Sequence, residues 1–245
     1  MRDEPDPFPI HLSVILPAYE EAGNLEWLIP SLKVVLDGLG VQYEVIVVDT
    51  QTPKDATPEL CRNNQVTYLP RVGGGLYSHA VKTGIAASRG EYVLFMDADG
   101  SHPVGLIASL WSQKSEADLI IASRYVKDGH TENPVILIFL SLMVNVIFRI
   151  VLGLKCRDVS NSFRLYHGDM LRALQLQCEN FDIVEEILIK LSLGKKNFTV
   201  IEIPFTFGTR KAGKTKRDLG VFALSYLSTL WRLHRLKTSG KKSNS

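Results

Sequence analysis

The chain has 245 residues, enough to bury one α/β core with an appended segment and too few for two ordinary domains. With 28 Lys and Arg against 26 Asp and Glu, the net charge of +2 gives no bulk argument for nucleic acid, and no nucleic-acid motif is present. Three scattered cysteines, Cys61, Cys156 and Cys178, lack any CxxC or Cys/His spacing, which excludes a disulfide framework or zinc site and indicates a reducing compartment.

Residues 1 to 10 hold three prolines and four charges and no apolar core, so they read as a flexible N-terminus, not a signal peptide, and the folded domain is expected on the cytoplasmic side. Short apolar runs then alternate with helical stretches. HLSVILP (11 to 17) is a strand and 22 to 38 a helix; YEVIVVD (43 to 49) is a strand, 56 to 63 a short helix and VTYLP (66 to 70) a strand. After the glycines at 73 to 75 come a helix to Ser88, the strand EYVLFM (91 to 96), a helix from Pro103 and the strand ADLIIAS (117 to 123). Alternation of this kind predicts a mostly parallel sheet covered on both faces, with ligands at the carboxyl ends of its strands.

The most apolar segment follows at 134 to 154, where Arg149 interrupts the run before a clean span of about 20 residues is reached. Ser141, Asn145 and Arg149 recur every fourth residue, one polar stripe on an otherwise apolar helix. That pattern predicts an interfacial or acceptor-groove helix, with a buried core helix as the alternative. A second amphipathic segment, 218 to 237, mixes Trp231 with Arg232, His234, Arg235 and Lys237, which suits an anionic membrane surface; residues 238 to 245 read as a disordered tail.

Three predicted strands end in chemically useful residues: Pro17-Ala18-Tyr19-Glu20, Asp49, and Asp97-Ala98-Asp99. Two carboxylates one residue apart after an apolar strand can share a hard cation, Mg2+ or Mn2+, with substrate phosphates, and such an ion would neutralise charge developing on a leaving diphosphate. TRKAGKTKR (209 to 217) packs five cations into nine residues around a glycine, a composition for gripping phosphate. The glycines at 73 to 75 lack the Lys-Ser/Thr pair of a P-loop and read as a turn. His102 could approach the metal or cap the next helix, and His79 reads as structural.

VILPAYEEAGNL, VIVVD and GEYVLFMDADGSHP resemble the donor half of family-2 glycosyltransferases, whose α/β nucleotide-sugar-binding fold is called GT-A. IIASRY, DVSNSFRLY and IEIPFTFGTRKAGKTK are similar to the dolichol-phosphate mannosyltransferases and their polyprenyl-phosphate relatives, and the likeness runs from about residue 11 to 230. The resemblance implies a GT-A domain over 11 to 217. It puts Pro17, Tyr19, Glu20, Asp49, Asp97, Ala98, Asp99, Arg210 and Lys216 at the donor and metal at Asp97 and Asp99. Arg124, Ser141 and Arg164 fall to the acceptor, and Asp99, Arg124 and Arg210 to catalysis. Glu186 matches a family glutamate, with a surface position for Glu185 or Glu186 as the plainer reading.

The implied reaction is inverting transfer of a hexose, preferably mannose from GDP-mannose, to a polyprenyl or dolichyl phosphate at the cytoplasmic membrane face. A small membrane-anchoring subunit is a further partner the resemblance allows. A UDP-sugar donor with another lipid or a saccharide acceptor, and a non-catalytic sugar-nucleotide-binding subunit, are the alternatives; the absence of QxxRW argues against a processive synthase. Two departures stand out. Asp49 is followed by Thr50 where relatives have a second Asp, with Asp55 next in the loop, and the family arginine four residues before Ser141 is Leu137, leaving Arg149, Arg164 and Lys211 as substitutes.

Overall fold

The computed structural model describes residues 10 to 208, 228 to 235 and 237 to 238. Strands β1 (Leu12–Pro17), β2 (Tyr43–Asp49), β3 (Thr67–Pro70), β4 (Tyr92–Phe95) and β5 (Leu119–Ser123) alternate with helices α1 (Ala22–Asp37), α2 (Thr57–Asn63), α3 (Tyr77–Ala87) and α4 (Leu106–Ser112). These match the elements expected from periodicity. The α4 helix starts later than Pro103 because Pro103-Val104-Gly105 closes a turn first, with Leu106 N–H on the Pro103 carbonyl.

Beyond β5 lie β6 (His130–Thr131), α5 (Val135–Leu152), β7 (Arg164–His167), α6 (Gly168–Arg172), α7 (Ile183–Gly194), β8 (Val200–Pro204) and β9 (Thr206–Phe207). The main sheet runs β3-β2-β1-β4-β7-β5-β8, and β6 pairs with β9. Every neighbour in the main sheet is parallel except β7, which is antiparallel to β4 and β5. The sheet is thus mostly parallel, with one inserted strand that apolar periodicity did not reveal.

Alternate side chains leave the two faces of each strand, so the sheet divides the core in two. On one face Ile15, Val48, Phe95 and Ile121 pack under α3, α7 and Phe148 of α5; on the other Leu16, Val47, Leu94 and Ile120 pack under α1 and α4. Burial on both faces explains why these strands read as continuous apolar runs. The register pairs Pro17 with Val48 and Ile15 with Phe95, so Pro17, Asp49 and the residues after Phe95 emerge along one carboxyl edge.

The α5 helix turns Asn145 inward and leaves Ser141 and Arg149 partly exposed. Asn145, Phe148 and Leu152 are buried, while Val135 and Ile150 are 82% and 76% exposed. With a mean hydropathy of 2.7, this helix is long and apolar enough to cross a membrane, and little of it is buried against the protein. Residues 228 to 235 form a helical segment. Its Leu233 is buried in the cluster that holds Phe148 and Leu152, and Thr229 and Arg232 reach Asp182 and Cys178.

Candidate active site

At the end of β1, Ala18 N–H donates to the Val48 carbonyl and Glu20 takes a left-handed backbone, φ 55°, a conformation that costs a non-glycine residue on the order of 1 kcal/mol and so needs support from its surroundings. Tyr19 holds the Lys54 ammonium both at its hydroxyl, 2.5 Å away, and over its ring. Asp49 is buried at the end of β2. Burial pushes its carboxyl above the usual range, outweighing hydrogen bonds from Thr50, and the Tyr68 hydroxyl stands 3.5 Å from its Oδ2.

Arg71, which the sequence did not single out, ties this edge together. Its guanidinium donates to the carbonyls of Asp49, Ala18 and Gly75 while the side chain is itself buried. Arg71 therefore fixes both strand ends and the glycine turn at once. In that turn Gly73 has φ 90°, and a Cβ on Gly74 would stand 2.7 Å from the His79 ring, so His79 sets how closely the backbone folds over α3.

Next along the edge come Asp97 and Asp99. Asp97 Oδ1 accepts the Ser162 hydroxyl at 2.9 Å, and Asp99 Oδ1 accepts the N–H and hydroxyl of Ser101 at 3.0 and 2.6 Å. His102 is fully buried, stacked on Phe163, and its Nδ1 accepts the Asp97 N–H at 3.0 Å. Burial lowers its pKa, so the ring is neutral and acts as an acceptor that orients the Asp97 main chain. Among the described residues no group of three His, Cys, Asp or Glu could hold an ion alone. Two carboxylates with oxygen-only chemistry, the Asp97 side chain 23% exposed, fit a hard cation provided that other oxygen ligands complete its coordination.

Arg124 follows β5. It forms a two-pronged pair with Asp158 at 2.8 and 2.7 Å and donates to the Ser160 hydroxyl at 2.9 Å. Glu202 of β8 accepts the N–H groups of Arg157 and Asp158, and Asn145 of α5 donates to Ser160 Oγ at 3.2 Å and accepts Val159 N–H at 2.6 Å. Ser141 sits one turn earlier, its carbonyl bonded to the same Asn145 amide. The apolar helix is thereby bolted to the loop that holds Arg124. The only sequence signal for this loop was the polar cluster inside DVSNSFRLY.

Two expectations need correction. Arg164 is not available to an acceptor: it opens β7, fully buried, with its guanidinium on the carbonyls of Asp158, Val159 and Val184. Glu185 and Glu186 are both fully buried, so neither is a surface residue. Glu186 accepts the N–H groups of Gln177 and Cys178 and pairs with Lys190 at 2.9 Å. Burial pushes its carboxyl up, but these donors outweigh burial and hold it below the usual range. Arg210, Lys211 and Lys216 lie outside the described residues.

Glu186 thus reads as a structural anchor of α7. Glu186→Ala should cost about 3 kcal/mol by stranding buried donors and Lys190, with kcat little changed below the lowered melting temperature, as thermal melts beside rate measurements would show. The contribution of the carboxylate is full above the unfolded pKa of about 4.3 and fades as acid protonates the native group.

A parallel sheet that gathers paired aspartates at its carboxyl edge, beside a buried arginine fork, has the GT-A architecture of nucleotide-sugar-dependent transferases. Consistent with this, glucosyl-3-phosphoglycerate synthase from Mycobacterium tuberculosis, solved with Mn2+, uridine diphosphate and phosphoglyceric acid, superposes with a TM-score of 0.71. The match covers 92% of this chain and 78% of that one at 19% identity, a likeness of fold. Residues 13 to 174 match Glycosyl transferase family 2. The chain belongs to that family. It is 35% identical to the dolichol-phosphate mannosyltransferase of Pyrococcus furiosus over 91% of its own length, and spans 63% of the length of that relative. It is 30% identical to the undecaprenyl-phosphate mannosyltransferase of Micrococcus luteus over 89% of this chain and 93% of that protein. To the polyprenol monophosphomannose synthase of Mycolicibacterium smegmatis it is also 30% identical, over 86% and 80%.

Proposed function

We propose that this glycosyltransferase moves a hexose, mannose from GDP-mannose by preference, onto a polyprenyl or dolichyl phosphate, while associated peripherally with the cytoplasmic face of a membrane. The observation that carries this reading is the bolt between α5 and Arg124. A helix with its apolar side turned out is fixed through Asn145 to the Ser160 hydroxyl that Arg124 also holds, so a lipid-facing surface adjoins a phosphate-binding type of cation. The relatives named for prenyl-phosphate mannosyl transfer support the same acceptor class.

In this scheme Pro17, Tyr19, Glu20 and Asp49 receive the nucleoside, with Arg71 holding their backbone in place. Asp97 and Asp99 would hold Mg2+ or Mn2+ against the donor diphosphate, and the ion would supply charge neutralisation for the departing nucleotide. Ser162, Ser101 and neutral His102 fix the two carboxylates. Arg124 and Ser141 orient the acceptor phosphate. That phosphate is already anionic near neutral pH, so no general base is required, and in-line attack on the anomeric carbon inverts it without a protein-derived covalent intermediate. The sequence after Gly208, whose N–H bonds the Ser101 carbonyl, carries Arg210 and Lys216, which we assign to the donor phosphates.

A transfer assay with a short polyprenyl phosphate, Mg2+ or Mn2+ and radiolabelled GDP- and UDP-sugars tests this. Label from GDP-mannose should enter the organic phase. Metal-dependent donor binding with no label in that phase from any donor would remove the lipid-phosphate acceptor, and label from a UDP-sugar alone would replace the donor.

A further inference from the structure

The exposed side chains of α5 occupy an arc of about 140° on the helix, given 3.6 residues per turn. Arg149 stands at the edge of that arc. It lines a cavity of about 270 Å³ whose other walls are Val146, Ile150 and Leu154, all apolar. Its Nε is shielded from solvent and has no hydrogen-bond partner among the described residues. A guanidinium donor left unmatched in an apolar groove is costly unless an anion completes it, and a guanidinium matches a phosphate in two-pronged fashion.

Further cations surround this end of the helix. Lys155 is exposed just beyond it, and Lys237 donates to the Leu152 carbonyl at 2.6 Å, which draws the C-terminal helical segment alongside. On that segment Arg235 lies over the ring of Trp231, 4.7 Å from its centre, and the tryptophan is 63% exposed. Arg149 is also eight residues past Ser141, about 12 Å along the helix axis, and one turn beyond Asn145, which bonds the Ser160 hydroxyl.

We propose that Arg149, Val146, Ile150 and Leu154 form a seat for the phosphate headgroup of an anionic membrane phospholipid, separate from the acceptor. The phosphate occupies the guanidinium, acyl chains lie along Val146 and Ile150, and the surrounding cations select net negative lipid. This rests on the membrane association proposed above and adds a preference for lipid charge. The apolar walls favour a lipid over free phosphate, which would leave Val146 and Ile150 in water.

Co-sedimentation of the full chain with phosphatidylcholine vesicles, and with vesicles in which phosphatidylglycerol replaces part of that lipid, tests the seat. The wild type should favour the anionic vesicles. Arg149→Leu should lose about fivefold of that binding, the effect of one cation at an acidic lipid surface, and keep its binding to neutral vesicles. Arg149→Lys, which keeps the charge but loses the two-pronged geometry, should fall between the wild type and Arg149→Leu, and Ile150→Ser should weaken binding to both kinds of vesicle. The thermal melt of Arg149→Leu and its metal-dependent binding of donor should match the wild type, which shows that the variant folds, and transfer to a short polyprenyl phosphate in detergent tests the proposed reaction separately. Unaltered anionic binding in Arg149→Leu would overturn the seat, as would displacement of the wild type by inorganic phosphate at constant ionic strength. Loss of detergent transfer in step with vesicle binding would also overturn it, by making Arg149 an acceptor contact.

Discussion

Asp99→Ala is expected to lower metal-dependent transfer by roughly a thousandfold, the loss seen when one fixed element of transition-state charge stabilisation is deleted, while the protein stays folded. Asp99 accepts the N–H and the hydroxyl of Ser101, and losing that acceptor strands one main-chain donor at a cost of about 1 kcal/mol. For a chain of this length that is a fall of about 3 °C in melting temperature. Asp99→Asn separates charge from geometry, because its amide oxygen can still accept from Ser101. If charge on this side chain holds the cation against the diphosphate, Asn should be nearly as inactive as Ala and as stable as wild type. Initial rates across a Mg2+ or Mn2+ titration, beside thermal melts, check both. Near-normal turnover in either variant would remove Asp99 from the metal site.

Much of this site was legible because a parallel sheet places strand ends predictably. Once 11 to 17, 43 to 49 and 91 to 96 read as parallel strands, Pro17, Asp49 and Asp97 had to emerge on one edge, and the register shows that they do. The opposite half was less legible. RLYH, the β7 strand, is four residues long with an arginine at its start, and its two partners come from distant parts of the chain. Arg164 resembled a phosphate ligand in sequence because nothing local reveals that three main-chain carbonyls surround it in the core. Arg71 was missed for the same reason: its partners, at Ala18, Asp49 and Gly75, meet only after the sheet forms. For α5, periodicity showed the stripe of Ser141, Asn145 and Arg149 but could not say which way it faces. The loop carrying Asp158 and Ser160 decides that, by giving Asn145 partners inside the protein.

The same loop sets the second large effect. Asp158 is fully buried, and its oxygens accept the Arg124 guanidinium, the Arg124 N–H and the Asn161 N–H. Asp158→Ala should therefore destabilise the protein by about 4 kcal/mol, since it leaves a largely buried cation and two main-chain donors without their acceptor. That corresponds to a fall of about 12 °C in melting temperature for a chain of this size. It should also lower transfer at temperatures where the variant remains folded, because Arg124 would keep its charge but lose the fork that aims it. Arg124→Lys makes the complementary change, retaining the cation while surrendering planar two-pronged geometry. If Arg124 serves the acceptor phosphate, Arg124→Lys should raise KM for the polyprenyl phosphate more than KM for the donor sugar nucleotide. A double-mutant cycle over Arg124→Ala and Asp158→Ala should show strong coupling, above about 1.5 kcal/mol, because each single change strands the other charge. Additive stabilities would mean that the pair is not a unit. Equal rises in both KM values would mean that Arg124 shapes the whole site and leaves the acceptor phosphate to other cations.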